Sequence, residues 1–545
     1  MSKFGNWSEV SPLGDLLVRN AQLYPDRDAL VFPDSRCTFN TLLDQALEVA
    51  TGLLALGVRP GEHVGLLTTN SIEYVAAFYG IGLMGAVAVP INVRHKAAEL
   101  GYIINNAELV ALCTTADTGA YVDFSEVLRL ALPSLKDAPL SSELSLPEAP
   151  RLRHAILLRG QDRQGFMDRT EFDRLAATVE SDRVHQLRRQ VMLRDTAIII
   201  YTSGTTAHPK GCMLSHEALT RGPVERARFR FASGGHDVHW GAGPLFHIGS
   251  LAPMIGALGA GCTYVTDLYF DPVRAVALIE RERVTTVWPW FPAIVLALLE
   301  QARFDGKCLP ALRSIVLIAA STVVERVQNH FPGVEILQGC GMTETAGIFG
   351  LTAPEDSATE RATTQGKAYP GIEIRLLDPE TGADVPLGEV GEILVRGYCL
   401  MTGYYKDPVK TAATIDADGW LHTGDLYRQT MDGNLFFNGR LKDMLKVGGE
   451  NVAAIEVEAF LCEHPAVKLA EVVGKPDPRL DEVPVAFVEL HPGASLTAQE
   501  LIDFCKNRIA NYKIPRAVYF LAAEDWPMSA TKVDKRGLRA RLDSL

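Results

Sequence analysis

Short apolar, β-branched runs alternate along the N-terminal two thirds of the chain with stretches whose apolar positions recur every three to four residues. Runs at 29–32, 63–67, 87–89, 110–113 and 197–201 predict strands, and the stretches at 39–56 and 72–83 predict helices between them. This alternation predicts an α/β fold with largely parallel sheets. Residues 124–182 are charged, proline-containing and weakly periodic, and are read as surface hairpins and loops. From about Gly366 the pattern changes. Residues 385–395, with the turn Pro386-Leu387-Gly388-Glu389-Val390-Gly391, and residues 433–437 predict antiparallel strands. Beyond Gly439-Arg440 a second α/β block begins, with helices at 454–462 and 498–508 and strands at 467–473, 483–490 and 517–520. The domain organisation read from this is 1–440 and 441–545, with the boundary near 440–442.

Composition narrows the function classes. The chain has 545 residues, 47% hydrophobic and 22% charged, which is a globular profile long enough for two to four cores. A net charge of −13 without a basic stripe argues against nucleic acid as a partner. The nine cysteines are dispersed with no C-x-x-C spacing, as in a reduced, cytoplasmic protein. His236 and His239 lack the cysteine or H-E-x-x-H context of a zinc site. No signal-peptide pattern opens the chain, and its last three residues are not the S-K-L address. Residues 74–93 and 241–266 are uncharged and long enough to raise the question of a membrane span. Their Gly, Ala, Pro and polar content reads instead as helix-plus-strand core, so no integral membrane segment is expected.

Candidate chemistry centres on Tyr201-Thr202-Ser203-Gly204-Thr205-Thr206-Ala207-His208-Pro209-Lys210-Gly211, which follows a buried run. A polyphosphate needs many short donors at close range. Hydroxyls and glycine-flanked N–H groups provide them, and Lys210 adds a compact charge. The spacing is not that of the G-x-x-x-x-G-K-[ST] loop.

This stretch resembles the phosphate-binding signature of the adenylate-forming, or AMP-binding, superfamily, which includes acyl-CoA synthetases, luciferases and adenylation domains of peptide synthetases. Further stretches match in the family's order: Pro244–Gly249, Gln338–Thr345, the run from Gly419 to Asp425, the run from Gly439 to Asp443, and Lys532. The resemblance, closest to the acyl-CoA synthetase branch, implies a large N-terminal domain of stacked parallel sheets with a β-subdomain, followed by a small mobile α+β domain. It implies ATP, Mg²⁺ and coenzyme A as cofactor and co-substrates. Thr202, Ser203, Gly204, Thr205, Thr206 and Lys210 would hold phosphate. Gly339 and the small residues around Ala319-Ala320-Ser321 would hold adenine, Gly341, Met342 and Thr343 would belong to the same cofactor site, and Cys340 stands where the family usually has a stacking aromatic. Glu344 would organise magnesium and phosphate, while Asp425 and Arg440 would hold the ribose. Lys532 would bridge the carboxylate and α-phosphate, although Thr531 stands where the family usually has glycine before this lysine. Lys442 would be the hinge, and Lys446, Gly448, Gly449 and Glu450 would line the pantetheine channel in the second half-reaction.

His247 falls at the acyl pocket, where amino-acid-activating members carry aspartate, so a substrate with an α-ammonium group is disfavoured. Trp288–Phe291, Ala319 and Gly339 suggest a hydrophobic carboxylic acid, aliphatic or ring-bearing. Alternatives are a stand-alone adenylation enzyme that loads a carrier protein, a luciferase-like oxygenase, or a non-catalytic nucleotide sensor. The last is disfavoured because Glu344, Asp425 and Lys532 are all present. The sequence leaves the assembly state open, a homodimer included.

Overall fold

In the computed structural model, the described residues are 10–116, 123–138, 143–160, 162–202, 209–232, 236–447, 450–506, 508–529 and 532–542. The chain divides into two compact units. The first holds Met1–Ala362, Ala368–Ile372 and Arg396–Ala417, and the second holds Thr363–Lys367, Glu373–Val395 and Asp418–Leu545. The second unit therefore reaches further back than residue 441, because it takes in the antiparallel sheet expected after Gly366.

Two large sheets organise the first unit. The centre of a nine-stranded sheet runs Glu335–Met342, Ser314–Leu317, Thr286–Trp290, Val238–Gly241, Thr263–Val265 and Asp28–Val31, all parallel. A seven-stranded sheet is built around Thr196–Thr202, Val87–Pro90, His63–Leu67, Ala111–Thr115 and His154–Arg159. Between them, helix Ile72–Leu83 is buried on nearly every face, which is why its stretch carries no charge beyond Glu73. Ser71 caps it, its side chain accepting from Tyr74 N–H at 3.1 Å. Helix Phe39–Ala55 buries Phe39, Leu42, Val49 and Leu53, each contributing roughly 1.5–3 kcal/mol. Among the described residues no helix is long and apolar enough to cross a membrane. The two uncharged stretches are indeed core helices with their adjoining strands.

The expectation of surface hairpins and loops over 124–182 is wrong. The strand His154–Arg159 is buried over five of its six positions and extends the seven-stranded sheet in parallel with Ala111–Thr115. Helices Phe124–Ala131, Arg169–Ala176 and Ser181–Arg188 flank it, each of eight residues. Two helical turns present too few apolar positions for a period to emerge over the charged outer face.

The second unit contains a four-stranded antiparallel sheet, Ile372–Leu377, Val390–Gly397, Leu421–Gln429 and Leu435–Arg440. Its other sheet pairs Val467–Asp477 with Asp481–Leu490, which in turn pairs with Ala517–Phe520 and with the hairpin of Met444–Val447 and Glu450–Ala453. The helix expected over 498–508 ends at Cys505, where Lys506 turns to an extended conformation.

Candidate active site

The phosphate-loop candidate connects a β-hairpin. Strands Thr196–Thr202 and Lys210–Ser215 pair antiparallel, with Thr202 directly opposite Lys210. Both ends of the loop are thus held by sheet hydrogen bonds, without a helix N-terminus. Ser203, Gly204, Thr205 and Thr206 themselves lie outside the described residues. The Lys210 ammonium sits 5.1 Å from the centre of the Tyr404 ring, a cation–π distance. The Tyr404 hydroxyl donates to Glu344 Oε1 at 2.8 Å. One tyrosine thereby connects the cation at the end of the loop to the carboxylate expected to organise magnesium.

Glu344 is 8% exposed and sits on the single turn Thr343–Thr345. That turn can form because the chain leaves it through two left-handed residues, Ala346 at φ +50° and Gly347 at φ +99°. Thr345 Oγ1 locks it by accepting from Met342 N–H at 3.1 Å and donating to the Gly347 carbonyl at 2.8 Å. The Glu344 carbonyl accepts from Met401 N–H at 2.8 Å. Burial, and then the Glu344 charge, push the Tyr404 hydroxyl well above its usual range, so it remains a donor. Among the described residues no group of three His, Cys, Asp or Glu side chains could hold a metal by itself. A single buried carboxylate suits an ion that arrives with a polyphosphate and takes most of its oxygens from it.

Gly339, Cys340, Gly341 and Met342 end the strand Glu335–Met342, which pairs antiparallel with Gly347–Leu351 through a bulge at Cys340/Gly341. Gly341 is required by space, since a β-carbon there would lie 2.2 Å from the Gly347 carbonyl oxygen. Gly339 is nearly as tight, at 3.0 Å from the Gly350 oxygen. Cys340 is 2% exposed and so packs as a small core residue. Gln338 reaches across to accept from Ala319 N–H at 3.2 Å and to donate to the Ala362 carbonyl at 2.8 Å. This sets the Ala319-Ala320-Ser321 segment beside the strand, with Ala320 in the extended position just before helix Ser321–His330.

His247 caps helix Ile248–Gly259, its Nδ1 accepting from Gly249 N–H at 3.0 Å. The proton of the neutral ring is then on Nε2, which can donate. The loop before it is pinned by Asn70, which accepts from Leu245 N–H at 2.8 Å and donates to the Gly243 carbonyl at 3.1 Å. Tyr74 donates to the Leu245 carbonyl at 3.0 Å. Nearby stands an aromatic wall of Phe231, Trp288, Trp290, Leu337, Ile348 and Leu351. Phe231 meets Trp288 edge-to-face at 5.0 Å, and Trp288 meets Trp290 at 5.4 Å. Trp290 holds φ +60°, a costly backbone for a bulky residue.

The remaining candidates lie in the second unit. Asp425 and Arg440 are cross-strand neighbours, with Arg440 Nε 2.9 Å from Asp425 Oδ1. Gly424, at φ +73°, donates its N–H to Glu392 Oε1 at 2.9 Å, and Thr423 Oγ1 accepts from Asp425 N–H at 3.0 Å. Burial raises the Asp425 carboxyl above its usual value against the pull of Arg440, Lys532 and Lys442. Burial, followed by repulsion from Arg440, lowers the Lys532 ammonium, while Asp425 opposes the shift. Lys532 keeps exposed surface, so solvent tempers that effect. The fold thus brings Asp425, Arg440, Lys442 and Lys532 within electrostatic reach of one another. Arg539 donates to the Lys442 carbonyl at 3.4 Å and pairs with Asp443 at 3.2 Å. Lys446 and Glu450 fall on the strands of a hairpin, Lys446 opposite Asn451 and Glu450 opposite Val447. Gly448 and Gly449, and the side chains of Lys446 and Glu450, lie outside the described residues.

Three supporting residues escaped sequence reasoning: Tyr404, Glu392 and Asn70. Glu392 left a trace, as a lone carboxylate before the apolar run Ile393-Leu394-Val395. The other two left none, because their roles depend on partners 60 to 175 positions away.

The AMP-binding enzyme family profile matches residues 17–405, and that of the AMP-binding enzyme C-terminal domain matches 456–532. The chain belongs to the AMP-binding enzyme family. It is 34% identical over 539 residues to the putative acyl-CoA synthetase YngI of Bacillus subtilis strain 168, covering 97% of each chain. A 3-[(3aS,4S,7aS)-7a-methyl-1,5-dioxo-octahydro-1H-inden-4-yl]propanoyl:CoA ligase of Mycobacterium tuberculosis is 35% identical over 96% of this chain and 97% of its own. The crystal structure of the anthranilate CoA ligase AuaEII with anthranoyl-AMP superposes with a TM-score of 0.82 at 28% identity, over 100% of this chain and 99% of that one.

Proposed function

We propose that the protein is an ATP-dependent acid–thiol ligase that activates a hydrophobic carboxylic acid as acyl-AMP, releases pyrophosphate, and forms the acyl-CoA thioester. The observation that carries this reading is the Asp425–Arg440 pair with Lys532 in the same polar cluster. A carboxylate that can take two hydroxyl donors stands beside a lysine able to neutralise two approaching anions. Joining a carboxylate to a phosphate requires that neutralisation before attack is feasible. In this reading the hairpin loop from Thr202 to Lys210 cradles the β- and γ-phosphates, and Asp425 and Arg440 hold the ribose. Lys532 contacts both the carboxylate and the α-phosphate. Glu344, oriented by Tyr404, would hold the magnesium ion that comes with ATP, and the ion would supply further charge neutralisation.

The boundary at 440–441 with a hinge at Lys442 belongs to the same proposal. Rotation of 441–545 would withdraw Lys532 after adenylation and present the Lys446–Glu450 hairpin for the thiol step. The aromatic wall and the absence of an acidic residue at His247 support an apolar acid, aliphatic or ring-bearing. Relatives named for a bicyclic propanoate and for anthranilate are consistent with a ring.

The test is an acid panel read by pyrophosphate release, followed by Lys532→Ala in the full chain. The variant should lose acid-dependent pyrophosphate release by roughly a thousandfold while still converting supplied acyl-adenylate and CoA to thioester. Equal loss of both activities would overturn the two-step assignment. Thioester formed on an added carrier protein, with none on saturating free CoA, would replace CoA as the acceptor.

A further inference from the structure

Helix His216–Glu225 continues into a π-helical turn, Arg226–Arg230. Such wide turns are uncommon and often occur at functional positions. Of the arginines here, Arg221 pairs with Glu217 at 3.2 Å and Arg230 with Glu335 at 3.1 Å. Arg226 differs. It is 5% exposed, donates to the Ile348 carbonyl at 3.1 Å, and lies 5.1 Å from the centre of the Tyr369 ring. Among the described residues no carboxylate lies within ion-pair distance of it.

Two phenols share this place. The hydroxyls of Tyr369 and Tyr398 are buried, and neither has a hydrogen-bond partner among the described residues. A β-carbon placed on Gly222 would meet Arg226 Nη1 at 2.9 Å and the Tyr398 hydroxyl at 3.4 Å, so both groups pack against Gly222 and lie close to each other. Glu225 acts on Tyr398 only at a distance, and Arg221 lies 4.2 Å over the Tyr398 ring. A buried cation without an ion-pair partner, beside two buried hydroxyls without hydrogen-bond partners, is costly in a folded protein unless something completes it. Arg226 and Tyr369 both adjoin the aromatic wall, through the Ile348 carbonyl and through packing on that cluster.

We propose that Arg226, Tyr369 and Tyr398 form a polar subsite at the edge of the acyl pocket, which recognises an oxygen acceptor on the tail of the acid. This deepens the proposed ligase function and rests on it. The substrate class is an acid whose apolar body ends in a carbonyl or a second carboxylate. A guanidinium offers only donors and each phenol can donate its O–H as well, so together they suit either acceptor. A plain hydrocarbon tail would leave all three unsatisfied. Sites built from buried donors reject analogues that lack the acceptor far more strongly than apolar pockets reject a missing methylene.

The test uses three matched acids, 3-cyclohexylpropanoate, 3-(4-oxocyclohexyl)propanoate and 3-(4-carboxycyclohexyl)propanoate, with wild-type full-length protein and three variants. The wild type should favour the oxo or the carboxy acid over the hydrocarbon acid in kcat/KM by roughly 10- to 100-fold. Which of the two is preferred separates a neutral from an anionic acceptor. Arg226→Met should collapse that ratio to within about threefold, and Tyr369→Phe and Tyr398→Phe should lower it by about three- to tenfold each. The two phenylalanine variants keep the rings and decide the matter if Arg226→Met does not fold. No wild-type preference, or a ratio that survives while all rates fall together, overturns the subsite. If neither these acids nor the wider acid panel releases pyrophosphate, the ligase reading fails. Calorimetric binding of the same acids then decides the subsite by the same ratio.

Discussion

The aromatic wall of the first unit and the charged cluster of the second solve different problems with different physics. Phe231, Trp288, Trp290 and Ile348 are nearly sealed from solvent and pack in one apolar cluster. They act by shape, and little about them should respond to pH or salt. Asp425, Arg440, Lys442 and Lys532 keep partial contact with solvent. They act by charge, and each shifts the ionisation of its neighbours. A binding surface can tolerate dryness, whereas a group that must meet ATP and then be replaced has to stay reachable.

The sharpest way to break this contrast is at Gly341, on the strand whose Leu337 packs into the aromatic wall. Gly341→Ala would push a methyl carbon into a position 2.2 Å from the Gly347 carbonyl, and backbone must move. The expected cost is about 3 kcal/mol of stability, with at least a hundredfold loss of acid-dependent ATP–pyrophosphate exchange. Thermal denaturation alongside exchange assays checks both. Retained melting temperature would show that the strand is looser than its geometry implies. On the charged side, Asp425→Asn keeps size and removes one acceptor charge. It should raise the KM for ATP by roughly 10- to 100-fold with the melting temperature nearly unchanged, since burial already disfavours the ionised form. A fall in stability as large as that for Gly341→Ala would erase the distinction.

Tyr404→Phe probes the junction between Lys210 and Glu344. Losing one hydroxyl that donates to a buried carboxylate should lower kcat for adenylation about tenfold, and steady-state kinetics at saturating ATP and magnesium reads it. An unchanged kcat would show that Glu344 does not need this donor. The smallest effect is expected in stability against pH. Lys535 bridges Glu458 and Glu471, and burial together with Glu458 raises the Glu471 carboxyl. A carboxyl raised on folding holds its proton more tightly in the folded chain. Its contribution is therefore complete below the ordinary glutamate range and is lost as pH rises through the raised value. Chemical denaturation from pH 5 to 9 should show stability falling with pH, and Glu471→Gln should flatten that slope. An identical slope in the variant would assign it to other groups.

Much of the fold was legible because burial imposes period. Helix Ile72–Leu83 and strand Thr196–Thr202 announce themselves through uninterrupted apolar residues. The charged segment 124–182 hid a buried strand, two helices and the start of a third, since elements this short show little period beside their solvent-facing charges. Of the site, the residue types that touch ATP in the proposed reading stood out as clusters of glycine, hydroxyl and charge. Tyr404 and Asn70 stayed silent, as a tyrosine or an amide in a sequence carries no sign of which distant group it will hold.

By itself, then, the sequence determined the α/β class, the family and the positions of the candidate chemistry, because local composition and short spacings encode phosphate-friendly turns and buried strands. Only the tertiary structure decided that the phosphate-loop candidate closes a hairpin, that Cys340 is core packing, and that Glu344 answers to Tyr404 across 60 positions. It also gathered Arg226, Tyr369 and Tyr398 from three separate parts of the chain. Such assemblies depend on which strands and helices end up side by side, and that choice is made by the burial of the whole chain rather than by any one segment of it.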